Sequence, residues 1–250
     1  MAERALPYRV EGQGPPMLLV HGFAISYNIW QKLLPLLRRH FTLVMVVLPG
    51  SGESPLPAEG QDYLTAAVEG IEEVRRELRL EKWDVLGYSS GSRVAEAYVQ
   101  THTAQVCRAI FLCPVEVHGP KAASLRLAMA VDRWVPAFGS LMLSGWRLKS
   151  LISFFGFNLQ RDPLCEEWYA EIGAAPMRTL KETIRLVERK AGESFSVPVP
   201  FDLIWADKDF VPSMPRIRGP RDHMVHGQHA APMEAAEEVA KTILALSKEP

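Results

Sequence analysis

The amino-acid sequence predicts an α/β fold: a mostly parallel, doubly wound sheet flanked by helices and interrupted by an inserted helical segment. Three observations predict it. Short apolar runs recur along the chain, helix-period stretches lie between them, and one segment from about 115 to 197 breaks the alternation. The runs are Met17–Val20, Phe41–Leu48, Trp83–Leu86, Val106–Leu112 and Val199–Trp205. Successive positions in them are apolar, so both faces need cover, as parallel strands between two helix layers have.

The helical stretches follow from spacing. Trp30, Leu33, Leu34 and Leu37 fall at i, i+3, i+4 and i+7, and so do Leu64, Ala67, Val68 and Ile71, continued by Val74 and Leu78. A last helix carries Val239, Ile243 and Leu246, with Glu237 and Glu238 in its first turn, where the helix dipole favours negative charge. Inside the interrupting segment, Met177–Lys190 places Met177, Leu180, Ile184 and Val187 on one face. An interruption of this size is too long for a structureless loop. Residues 1–114 and 198–250 are therefore expected to form the core, and 115–197 a helical subdomain inserted into it.

Composition removes whole classes of function. The chain has 250 residues, 48% hydrophobic and 23% charged, which is ordinary globular usage and excludes disorder and fibrous repeats. Lys and Arg number 28 against 29 Asp and Glu, so there is no basic footprint for nucleic acid or an anionic membrane. The longest apolar stretch, Leu141–Leu159, carries Arg147 and Lys149 and falls short as a membrane span. No apolar leader precedes Gly14. Cys107, Cys113 and Cys165 form no CxxC pair, which suggests reduced thiols in the cytoplasm. The expectation is a soluble protein.

Chemistry concentrates in three loops. Gly87-Tyr88-Ser89-Ser90-Gly91 follows the run Trp83–Leu86 and precedes a helical stretch with Ala95, Tyr98 and Val99. This is G-x-S-x-G in the strand–turn–helix setting that exposes a nucleophilic serine, with helix amides aimed at developing negative charge. The bare pattern arises by chance in roughly one such chain in ten, so the setting matters. His21-Gly22-Phe23 follows the first apolar run. It reads either as an oxyanion hole formed by the Phe23 and Ser90 amides or as a turn whose histidine caps a strand. Leu48-Pro49-Gly50-Ser51-Gly52-Glu53-Ser54-Pro55 is not a dinucleotide loop, because Pro55 stands where the third glycine belongs. It reads as a turn bordering the cleft. No nucleotide or other cofactor is expected.

Taken together, PPMLLVHGF, LPGSGES, VLGYSSGSRVAEAYV, LIWADKDFVP and GQHAAPMEAAEEV resemble the α/β-hydrolase superfamily, in its small-cap, esterase-like serine hydrolase branch. The resemblance implies that fold, a cap and a Ser-His-Asp triad. Ser89 matches the nucleophile. The acid position, three residues before Pro212, falls on Asp209; Asp207 competes from two residues away, and Glu116 qualifies if the acid follows the preceding strand. The histidine position, five residues before Glu234, falls on His229 rather than His223 or His226. A metal site built from these three histidines is disfavoured, since their spacing suits neither a strand face nor a helix and no thiol or carboxylate cluster accompanies them. The sequence departs from the family at Ala206 and Gln228, where glycines are usual.

The expected chemistry is hydrolysis of a carboxylic ester or related acyl bond through an acyl-enzyme, with no cofactor and no metal. Carbon–carbon hydrolysis and perhydrolase or haloperoxidase chemistry use the same triad, and a receptor on a retained hydrolase fold is the alternative from another class. The segment 125–159 is rich in large apolar side chains, including Leu127, Met129, Trp134, Leu141, Trp146 and Phe154. Part of this set is needed for the segment's own core. The rest is expected to roof a pocket for an apolar acyl or aromatic group, with Trp134 and Trp146 touching substrate and Asp132, Arg133, Arg147 and Lys149 on the outer face.

Overall fold

In the computed structural model, which describes residues 5–135, 137, 140–141, 163–211 and 219–247, the sheet has seven strands in the order β1-β3-β2-β4-β5-β6-β7. They are β1 (Tyr8–Gly12), β2 (Pro16–Val20), β3 (Thr42–Val46), β4 (Trp83–Tyr88), β5 (Val106–Leu112), β6 (Phe201–Ala206) and β7 (Asp222–Val225). Only the β1–β3 pair is antiparallel; the other five pairings are parallel. All five strands expected from apolar runs are present. Val199–Trp205 begins two residues late because Pro198 and Pro200 lack the N–H a strand needs.

The two strands that the sequence hid are polar and short. Arg9 and Val10 of β1 are exposed, and Asp222, His223 and Met224 of β7 are only half-buried, because both strands lie at sheet edges. An edge strand has no continuous apolar run to announce it.

Alternate residues of the central strands enter two separate cores. Leu19, Met45, Leu86, Ile110 and Ile204 share one, and Leu18, Val44, Val85, Phe111 and Trp205 share the other. Each such side chain contributes roughly 1.5–3 kcal/mol by leaving water. The second core is closed by α2 (Tyr63–Glu77) and α3 (Gly91–Thr101). The first is closed by the last helix and by the segment from Tyr27 to Leu37. The single helix expected across Trp30–Leu37 is instead a 3-10 turn at Tyr27–Trp30 followed by a short helix α1 (Leu34–Leu37). Pro35 has no N–H to bond back to Gln31, so the helix restarts at it.

Between β5 and β6 the described residues contain no strand. They form α4 (Gly119–Trp134), α5 (Pro163–Ala174) and α6 (Met177–Arg189). Two expectations for α4 are reversed. Asp132, expected on an outer face, is buried and pairs with Lys181 Nζ at 2.8 Å, which fixes α4 against α6. Leu127 and Trp134, expected to face inward, are 67% and 88% exposed. Trp146, Phe154 and Pro212 lie outside the described residues. The chain closes with α7 (Ala231–Glu234) and α8 (Ala236–Leu246). No described helix is long and apolar enough to cross a membrane.

Candidate active site

Ser89 occupies the turn between β4 and α3 with a left-handed backbone, φ +55°. Such a conformation costs a non-glycine residue on the order of 1–3 kcal/mol, and surrounding contacts must enforce it. The Ser89 amide donates to Leu112 O at 3.0 Å, and two glycines pressed against this turn have no room for a side chain. A Cβ on Gly22 would stand 2.8 Å from Ser89 Cβ, and one on Gly91 would stand 2.0 Å from His21 O. The HGF loop is thus pressed onto the serine turn, and both glycines are demanded by that approach.

Ser89 Oγ lies 2.7 Å from His229 Nε2, and His229 Nδ1 lies 2.8 Å from Asp209 Oδ2. A carboxylate only accepts, so Nδ1 carries the proton and Nε2 offers its lone pair to the serine hydroxyl. His229 and Asp209 side chains are 3% and 0% exposed. Asp209 Oδ1 accepts from the Val211 amide at 2.8 Å. The Tyr88 hydroxyl donates to the carbonyl of His229 at 2.9 Å and so ties the serine turn to the histidine loop. Nothing in the sequence marks Tyr88 for this.

The loop that carries His229 is held by three carboxylates on three consecutive amides. Glu238 accepts from the His226 N–H at 2.8 Å, Asp207 from Gly227 at 2.9 Å and Glu234 from Gln228 at 3.2 Å. Burial raises the pKa of Glu234, partly opposed by the Gln228 amide. Asp207, expected as a solvated charge, has a specific task, since it also meets His226 Nδ1 at 2.7 Å. Burial works against its charge, but the Gly227 amide and His226 hold its carboxyl below the ordinary range. Glu116 is not at this site. Its Oε1 meets His118 Nε2 at 2.8 Å and accepts from Ser194 Oγ at 3.1 Å.

His21 is fully buried, and its partners define its form. Nε2 accepts from the Leu48 amide at 2.9 Å, leaving the Nδ1 proton to bond Gly22 O at 2.8 Å. Burial lowers its pKa to about 4, despite the Gly22 bond. This neutral ring staples the HGF loop to the end of β3. The Phe23 and Ser90 amides enter no hydrogen bond among the described residues. Next to Phe23, Ala24 has φ +50°, a second strained backbone at this edge of the sheet. Trp134, at the end of α4, is 88% exposed. Among the described residues no group of three His, Cys, Asp or Glu side chains could hold a metal ion, and His223 instead faces Asp202 at 3.1 Å.

The family profile described as alpha/beta hydrolase fold matches residues 15–211. The chain belongs to the alpha/beta hydrolase family. Among curated relatives, a pimeloyl-[acyl-carrier protein] methyl ester esterase of Aeromonas salmonicida is 29% identical over 199 residues, spanning 79% of this chain and 70% of its own. Seven further curated relatives match over 23–47% of their own length. Among solved structures, an esterase from Exiguobacterium antarcticum superposes with TM-score 0.77 at 19% identity, covering 98% of this chain and 96% of that one. A meta-cleavage product hydrolase from Pseudomonas fluorescens IP01 superposes with TM-score 0.73 at 16% identity, covering 96% and 93%. At such identities the superpositions establish the fold, and this alpha/beta hydrolase shares it with enzymes of different substrates.

Proposed function

We propose that this alpha/beta hydrolase cleaves a carboxylic ester, or a related acyl bond, of a small and largely apolar substrate through an acyl-enzyme. The hydrogen-bonded line from Ser89 Oγ through His229 to Asp209 carries the reading. Ser89 Oγ attacks the carbonyl carbon while its proton passes to His229 Nε2. Asp209 balances the imidazolium and keeps the Nδ1 proton in place. The Phe23 and Ser90 amides receive the oxyanion. Collapse expels the alcohol, which takes the proton from Nε2. Water then attacks the acyl-enzyme with His229 as base, which frees the acid and restores Ser89. In this reading 115–197 acts as a cap over the cleft, and the enzyme works in the cytoplasm without a cofactor, as a monomer or homodimer. The esterase relative at 29% identity supports the ester over other acyl bonds.

The test is labelling with a fluorophosphonate, followed by turnover of p-nitrophenyl esters of increasing acyl length. Ser89→Ala should lose both labelling and turnover, and Ser90→Ala should keep them because Ser90 contributes only its amide. Efficiency should rise about fourfold per added methylene until the pocket fills. Labelling of Ser89→Ala at the wild-type rate overturns the nucleophile assignment. Preference for a meta-cleavage diketone over every ester would move the reading to carbon–carbon hydrolysis.

A further inference from the structure

Glu171 lies on α5, far along the chain from the loop that it touches. Its Oε1 accepts from the Ser26 hydroxyl at 2.7 Å and from Asn28 Nδ2 at 2.8 Å, and its Oε2 accepts from the Ser26 amide at 3.2 Å. Asn28 is itself oriented by Gln31 Nε2, which donates to Asn28 Oδ1 at 3.1 Å. Ser26 ends the short stretch that begins at Gly22 and contains Phe23 and the strained Ala24. Strain of this kind persists only where neighbouring contacts leave the backbone no alternative. From the sheet side, His21 staples the start of the stretch. From the other side, Glu171 holds its end.

The carboxylate is also aimed by its own helix. Trp168, three residues earlier, and Ile172, one later, are 1% and 3% exposed and sit in the same core as Ile29 and Trp30. Docking of α5 therefore delivers Glu171 to Ser26 and Asn28 as one rigid event. Resting on the serine hydrolase reading above, we propose that Glu171 is a positioning residue: it clamps the loop that presents the Phe23 amide, so that the oxyanion site is in register only while α5 is docked. Glu171 touches no reacting atom. A carboxylate suits the place because all three partners donate, whereas the amide of Gln would turn its NH2 toward at least one donor.

The experiment pairs kinetics with amide hydrogen exchange on full-length Glu171→Gln and Ser26→Ala. Displacement of a catalytic group by about an ångström costs on the order of 10²-fold, so Glu171→Gln should lower kcat roughly 10- to 100-fold with KM within about threefold. Ser26→Ala should act in the same direction but less, and the double variant should fall short of the summed effects. Exchange of the amides from Phe23 to Ser26 should quicken in Glu171→Gln, while α3 stays protected. Unchanged exchange in that stretch overturns the proposal. So does a raised KM with kcat intact, which would place Glu171 in substrate binding, or a lowered Tm with both constants intact. If the wild-type protein neither labels nor turns over esters, the hydrolase reading fails, and the exchange result alone decides whether Glu171 clamps the loop.

Discussion

Two aspartate–histidine pairs join the loops after β6 and β7. Asp209 meets His229 at 2.8 Å and Asp207 meets His226 at 2.7 Å, two nearly equal pairs only two and three residues apart in each loop. Their surroundings differ. The first pair is 3% and 0% exposed and ends on Ser89 Oγ; the second is 69% and 35% exposed and ends on Lys208 Nζ, 3.1 Å from His226 Nε2. In a water-excluded setting a fixed carboxylate strongly stabilises an imidazolium that forms during reaction, whereas water screens the exposed pair. The distance between partners does not distinguish the two pairs. Burial and the group at the far end do.

The largest test of this contrast is Asp209→Asn. Loss of the acid that sets the histidine tautomer costs about 10⁴-fold in turnover in the template triad, and a comparable fall in kcat on a p-nitrophenyl ester is expected here. If Glu116→Gln were instead the crippling change, the acid would be on the wrong loop in this account, because Glu116 faces His118 and Ser194.

A second test asks whether burial alone shapes a histidine at this edge of the sheet. Among the described residues His21 has no carboxylate partner, and burial lowers its pKa from 6.5 to about 4. The folded state holds it neutral while the unfolded state protonates it, so its contribution is complete above pH 6.5 and is lost as pH falls toward 4. The full loss amounts to about 3 kcal/mol. Thermal unfolding across that window should show a steep fall in Tm for the wild-type protein and a shallower one for His21→Asn.

Asp207→Asn should cost less than about tenfold in kcat, because surface charge contributes little and Asn retains an acceptor for the Gly227 amide. A loss approaching that of Asp209→Asn would show that the two pairs form one functional unit. The smallest effect is expected for His226→Ala, whose kcat should stay within about twofold of wild type, since an exposed pair carries at most ~1 kcal/mol. A sizeable fall in either variant should come with disorder of residues 226–229, readable by amide exchange.

Much of the site was legible in a single sequence because its determinants are local. Gly87 and Gly91 flank Ser89, and each is required by a close approach that leaves no space for a Cβ. The central strands announced themselves because burial on both faces demands apolar residues at every position. The edge strands β1 and β7 did not, and the helix expected across Trp30–Leu37 broke at Pro35. The frame around His229 pointed to Glu234 without revealing its task, which is to accept from the Gln228 amide.

What the sequence determined by itself is therefore the central strands of the sheet and the serine turn, each written within a few neighbouring residues. Only the tertiary structure decided which carboxylate meets which histidine. It assigned Asp209 to His229, Asp207 to His226 and Glu116 to His118, turned Trp134 outward and Asp132 inward, and brought Glu171 to Ser26. Local patterns report steric and solvation demands that a residue meets with its chain neighbours. A hydrogen bond between residues 145 positions apart, such as that from Ser26 to Glu171, leaves no periodic trace, because its geometry exists only after the helices have packed.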